Sequence, residues 1–137
     1  MPEPRRLLAP VLVGLVLAVL GASPAPAARA EPSASKLVAH LFAPTHHPKA
    51  GVRWPIRITA HDANGHRVRG AVRYAFLYRG RVVMRQDPKG DKRFVGEFRD
   101  RHLAWSKRSI GLELTFRAVV DTKLGQANLD YRVRVHR

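Results

Sequence analysis

The chain has 137 residues, with 25 lysines and arginines against 10 acidic residues, a formal net charge of +15, and no cysteine. That length holds one domain with a single core and is too short for two ordinary ones. Without cysteine there are no disulfide staples and no lipid-modified cysteine, so the hydrophobic core must carry stability alone.

The first 30 residues read as an export signal. Arg5 and Arg6 form a basic n-region, Leu7 to Ala22 an apolar run, and Ala28-Arg29-Ala30 a small-residue cleavage site. Cleavage after Ala27, through Ala25-Pro26-Ala27, is the near alternative. The apolar run contains Pro10 and Gly14 and falls short of the roughly 20 residues that a bilayer crossing needs. A retained anchor is therefore the weaker expectation, and a twin-arginine signal matches poorly because Pro4 precedes the pair and Leu7-Leu8-Ala9 follows it. Removal of residues 1–30 leaves 107 residues with 22 basic and 9 acidic side chains, a net +13. The bias toward Ala, Arg, Pro and Val suggests a high-GC bacterial genome. An extracytoplasmic product with no transmembrane segment after cleavage is expected. Residues 31–35, with Pro32, form a short polar lead expected to be disordered.

From Lys36 onward, short alternating segments are punctuated by Gly, Pro, Asn and Asp. Leu37 to Phe42 is the first expected strand, and Pro44 to Gly51 a loop. Over residues 54–61, Trp54, Ile56, Ile58 and Ala60 recur at period two and face a core, with Arg57, Thr59 and His61 outward. Asp62-Ala63-Asn64-Gly65 is a turn. A third strand runs from Ala71 to Tyr78, with Val72, Tyr74, Phe76 and Tyr78 on one face. Arg79-Gly80 closes it as a hairpin onto Val82-Val83-Met84. After a turn at residues 87–91, Arg93 to Phe98 is expected as one strand, with Phe94 and Phe98 in phase. Residues 99–111 form the long connection, with Leu103 and Trp105 expected to pack over an open end. Trp105, lying outside a strand, is with Tyr78 the candidate for an exposed ring; the other aromatics read as core. In the last pair of strands Leu112, Leu114, Phe116, Ala118 and Val120 form one core face. Ala127, Leu129, Tyr131, Val133 and Val135 form the other. Each has one wet face, which argues antiparallel pairing in a two-sheet stack.

The pattern Pro48-x-x-Gly51, followed by Ile56-x-Ile58-x-Ala60-x-Asp62-x-x-Gly65-x-x-Val68-x-Gly70-x-Val72-x-Tyr74, resembles secreted bacterial immunoglobulin-like domains of the invasin and related classes. Leu114-x-Phe116-Arg117-Ala118-Val119-Val120 and Gly125 are similar to the final strand pair of such domains. The resemblance covers roughly residues 36–136 and implies adhesion, spacing or binding at the cell envelope. The chain departs from antibody-type domains in lacking the cysteine pair, and from large adhesins in having one domain rather than an array. The expected fold is all-β: a single immunoglobulin-like antiparallel β-sandwich of about seven strands over residues 36–137, preceded by a cleavable signal peptide. A fold of this kind does not select a function.

Charge carries the leading functional expectation. Arg57, Arg67, Arg69, Arg73, Arg79, Arg81, Arg85 and Lys89 crowd the middle of the chain, and Arg132, Arg134 and Arg137 line the wet face of the last strand. Of these, Arg67, Arg69, Arg73, Arg79, Arg81, Arg85, Arg132 and Arg134 are the polyanion-binding candidates. A field of this size attracts polyanions. Outside a bacterial cell these are wall phosphopolymers, acidic polysaccharides and anionic headgroups, whereas specific nucleic-acid recognition is not expected. The rival account is that genome composition favours arginine, which then serves only solubility. A second expectation is a copper-type metal site, for which His46, His47, His61 and His66 are weak candidates, although no H-x-H pair lies on a strand. Asp62-Ala63-Asn64-Gly65 resembles the start of a calcium loop, but Arg67 and Arg69 follow where acids are required. Ser106 and Ser109 lack a nucleophile-elbow context, and Glu97, Asp100 and Glu113 show no carboxylate-pair spacing. No cofactor and no enzymatic activity are therefore expected. A purely structural domain, or a partner in a larger secreted complex, is the remaining alternative.

Overall fold

The computed structural model describes residues 36–137; the expected signal peptide and the lead at 31–35 lie outside them. Eight strands follow one another: β1 Val38–Phe42, β2 Ile56–His61, β3 Arg69–Tyr78, β4 Arg81–Gln86, β5 Arg93–Val95, β6 Glu97–Asp100, β7 Glu113–Thr122 and β8 Gly125–Arg134. Every strand pairing is antiparallel. The fold is all-β and sandwich-like. β1, β2 and β6 form one hydrogen-bonded group, β4, β3, β7 and β8 a second, and the short β5 joins them by pairing with the start of β3.

Side-chain alternation decides which faces meet. Ile56, Ile58 and Ala60 of β2 are buried, as are Val72, Tyr74 and Phe76 of β3 and Leu114, Phe116, Ala118 and Val120 of β7. Period-two burial of this kind places one face of each group against the other. On β3 the alternate residues Ala75 and Leu77 are buried as well, outside the main core cluster. Trp54 sits at the centre. Its ring meets Trp105, Phe116 and Tyr131 edge-on at centroid distances of 5.4, 5.4 and 5.6 Å. Its indole N–H donates to the Thr45 carbonyl at 3.0 Å. Edge-to-face pairs of this geometry each add about 0.5–1.5 kcal/mol beyond area burial.

Three local expectations are corrected. Arg93 to Phe98 is not one strand: it breaks at Gly96, whose φ is +73°. There the chain turns from one hydrogen-bonded group to the other, although Phe94 and Phe98 both remain in the core, 5.8 Å apart. Trp105 is not an exposed ring but a buried one, held between Trp54 and Phe76. Its segment runs beside residues 51–54: Gly51 N–H donates to the Trp105 carbonyl and Trp54 N–H to that of Leu103, at 2.8 and 2.7 Å. Leu112, expected on the core face of β7, is 37 % exposed because that strand begins one residue later.

The two groups of strands also share a polar tie. Tyr74 Oη, on β3, donates to Asp100 Oδ2 of β6 at 2.6 Å, and the His102 amide donates to Asp100 Oδ1 at 2.7 Å. Asp100 is the only buried charged residue among those described. Burial first, and then the hydrogen bond to Asp100, push the Tyr74 phenol far above its ordinary range.

Candidate functional site

β4 and β7 both run opposite to β3 and β8, as β2 does to β6, and the loops sort accordingly. The β1–β2 connection, the β3–β4 turn, the start of β7 and the end of β8 gather at one end, around a groove of about 640 Å³. The β3–β4 turn is Arg79-Gly80, with φ of +51° and +77°. Positive φ at both positions matches the twist of the flanking strands, as in a two-residue hairpin loop. The Arg79 guanidinium lies over the Tyr78 ring, 5.2 Å from its centroid.

His46 is held firmly on the wall of this groove. Its ring stacks on Tyr131 at 4.0 Å with an interplanar angle of 2°, and Nδ1 donates to the Arg132 carbonyl at 2.6 Å. The His46 carbonyl in turn accepts the Arg134 amide at 2.8 Å, so this connection runs along the end of β8. Because a carbonyl can only accept, Nδ1 carries the proton and Nε2 of the neutral ring carries none. His47, Arg79, Glu113, Arg132 and Arg134 also line the groove. Arg134 reaches Glu113 at 3.4 Å, a long exposed pair of small energetic weight. Arg79 and Arg132 have no carboxylate within 4 Å among the described residues.

The other arginines expected to bind polyanions do not join them on one face. Arg73 and Arg85 share the outer face of β3 and β4 with Arg117, around a shallow hollow of about 520 Å³. Arg73 pairs with Asp121 at 2.8 Å. Arg117 grips Asp130 directly across the strand pair with two bonds of 2.7 and 2.9 Å, and these hold the Asp130 carboxyl below its ordinary range. Arg67 and Arg69 lie at the opposite end, where Arg67 packs over Gly96. Arg81 sits on β4, whose side chains are all exposed and whose one strand partner is β3. Arg57, one of the crowded mid-chain arginines, belongs instead to a further basic cluster whose other members were not evident in the sequence. Arg57 and Arg99 stand directly opposite each other on β2 and β6, with Arg101 beside them and the Arg57 guanidinium 4.4 Å from the centroid of the exposed Phe42 ring. Arg99 also bonds Glu97, which draws that carboxyl down. The signal for this cluster was present only as alternation on β2; the break at Gly96 concealed the matching face of β6.

The acidic residues explain where positive charge stays free. Residues 36–137 hold 22 lysines and arginines and 8 acids. Six acids pair with one lysine or arginine each, Asp62 with His66, and Asp100 with Tyr74. Among the described residues, sixteen of the 22 cations are thus left without a carboxylate within 4 Å.

The four candidate metal-binding histidines are not brought together. His46 and His47 line the end groove, whereas His61 closes β2 and His66 the turn beyond it. The six residues of β2 alone span about 20 Å, well beyond the reach of one ion. Among the described residues, no group of three or more His, Cys, Asp or Glu side chains could share a metal. Asp62 Oδ1 instead accepts the Asn64 and His66 amides at 2.8 and 2.9 Å, and Oδ2 meets His66 Nδ1 at 3.1 Å. These bonds, led by the His66 amide, hold the Asp62 carboxyl low and account for this segment as a side-chain-closed turn.

No family model matches the chain, and no curated protein matches it. Among solved structures, the chain is similar to part of an engineered protein, at 18 % identity and a TM-score of 0.48. The match covers 74 % of this chain and 20 % of that one, so this chain spans about a fifth of the engineered protein. At that level neither fold nor function transfers.

Proposed function

We propose that this protein is an exported, non-enzymatic binding module of immunoglobulin-like topology that associates with anionic polymers of the cell envelope. The strand order supports the topology. β1, β2 and β6 correspond to strands A, B and E of that fold, and β4, β3, β7 and β8 to C′, C, F and G. The observation that carries the functional reading is the surplus of unpaired cations. Nearly every acid is already engaged, so the excess charge is exposed to solvent and to any polyanion that approaches. The end groove concentrates this property, since Arg79 and Arg132 stand there beside two histidines with no carboxylate partner among the described residues.

The test is cosedimentation of the protein with isolated envelopes from its own organism across a salt series. Binding that weakens as salt rises is the expected result. Binding indifferent to salt would replace this reading with a specific protein or glycan partner, and no binding at any salt would overturn it.

A further inference from the structure

We infer that the end groove is a discrete site for a phosphodiester carried on a polyol or sugar, and that its affinity rises when His46 is protonated. This rests on the proposed association with anionic polymers and specifies one unit of such a polymer. The volume, about 640 Å³, is in the range of small-molecule sites and exceeds what a bare anion fills. Its wall is mixed. Tyr78, Leu112 and Val133 provide apolar surface for a carbon body, and Arg79 and Arg132 provide donors for an oxyanion.

His46 supplies the pH dependence. The stack on Tyr131 and the bond to the Arg132 carbonyl fix its ring before any ligand arrives, so little freedom remains to be lost on binding. In the neutral ring Nε2 can only accept a hydrogen bond and offers an anion nothing. Protonation turns it into a charged donor. The other charged groups around the groove are His47, Arg79, Glu113, Arg132 and Arg134. Of these, Glu113 is the acid, and Arg134 already answers it.

The experiment is calorimetric titration of the purified protein with glycerophosphoglycerol, a diester whose single charge does not change between about pH 5 and pH 8. Binding about tenfold tighter at the acidic end is expected, the scale of one added, partly solvated charge contact. His46→Asn keeps a donor toward the Arg132 carbonyl but cannot gain a proton, so it should fold normally and lose the pH dependence. Arg132→Gln should weaken binding at both pH values, and His47→Gln should leave the pH dependence in place. Persistence of the pH effect in His46→Asn, its loss in His47→Gln, or indifference to Arg132→Gln would overturn the inference. If envelopes are bound in a salt-dependent way but the diester is not, the groove assignment fails while the broader reading stands; failure of both removes the broader reading. Phosphatidylglycerol vesicles distinguish the two sources of this chemistry. Vesicle binding that His46→Asn weakens at acidic pH assigns the headgroup, and vesicle binding indifferent to it assigns the wall polymer.

Discussion

Asp100 is buried and receives hydrogen bonds from Tyr74 Oη and the His102 amide. Tyr74→Phe removes one of these donors from a carboxylate that water cannot easily reach. The expected loss is about 1–3 kcal/mol in denaturant unfolding, because an unmet buried polar group costs more than an average hydrogen bond contributes. The raised Tyr74 pKa has a consequence at alkaline pH. The unfolded chain releases this proton near the ordinary value of 10.0 while the folded chain retains it, so the folded state binds more protons above that pH. Stability is therefore intact below about pH 10 and falls as pH rises beyond it. An alkaline melting series on the parent and on Tyr74→Phe measures this, and the variant should lose part of the slope. The sequence placed Tyr74 on a core face by alternation alone. It was silent on Asp100, because the partner that justifies burying a carboxylate lies 26 residues away in the chain.

At the scale of elements, the strands with long runs of alternation were legible. β2, β3, β7 and β8 fall close to their expected positions because each has a dry and a wet face that a one-residue slip would invert. Elements defined by non-local contacts were not. The segment holding Leu103 and Trp105 has no periodicity, and its place is set by backbone bonds to residues 51 and 54. The break between β5 and β6 was hidden because Phe94 and Phe98 keep their phase across Gly96. That glycine is doubly constrained: its φ is +73°, and an added Cβ would stand 2.9 Å from Arg67 Cβ. Gly96→Ala should lower stability by about 1–3 kcal/mol in thermal or denaturant unfolding, combining left-handed backbone strain with a displaced side chain. An unchanged melting temperature would mean that the corner tolerates an ordinary residue.

Over the whole molecule, charge follows a simple rule: acids are consumed locally and the remaining cations are spread over both ends and both outer faces. The sequence showed the excess but not its distribution, since pairing depends on cross-strand register. Arg117 and Asp130 are 13 residues apart yet directly opposite, while Arg132 faces Thr115 and has no carboxylate partner among the described residues. The paired carboxylates set the acid limit. The Asp130 carboxyl is held below its ordinary value of 3.8 by Arg117, so its contribution is present above that pH and is lost as pH falls through the folded value. Arg117→Gln with Asp130→Asn should flatten the acid side of a melting series and leave envelope binding unchanged, because the pair is already neutral.

The most direct test of the account is the salt slope of envelope binding, measured by cosedimentation for the parent, for Arg79→Gln with Arg132→Gln, and for Arg117→Gln with Asp130→Asn. The logarithm of affinity should fall linearly with the logarithm of salt concentration. The slope should become shallower by about one for each unpaired arginine removed and stay unchanged when the neutral pair is removed. A slope near zero in the parent, or an equal loss in both double variants, would contradict it.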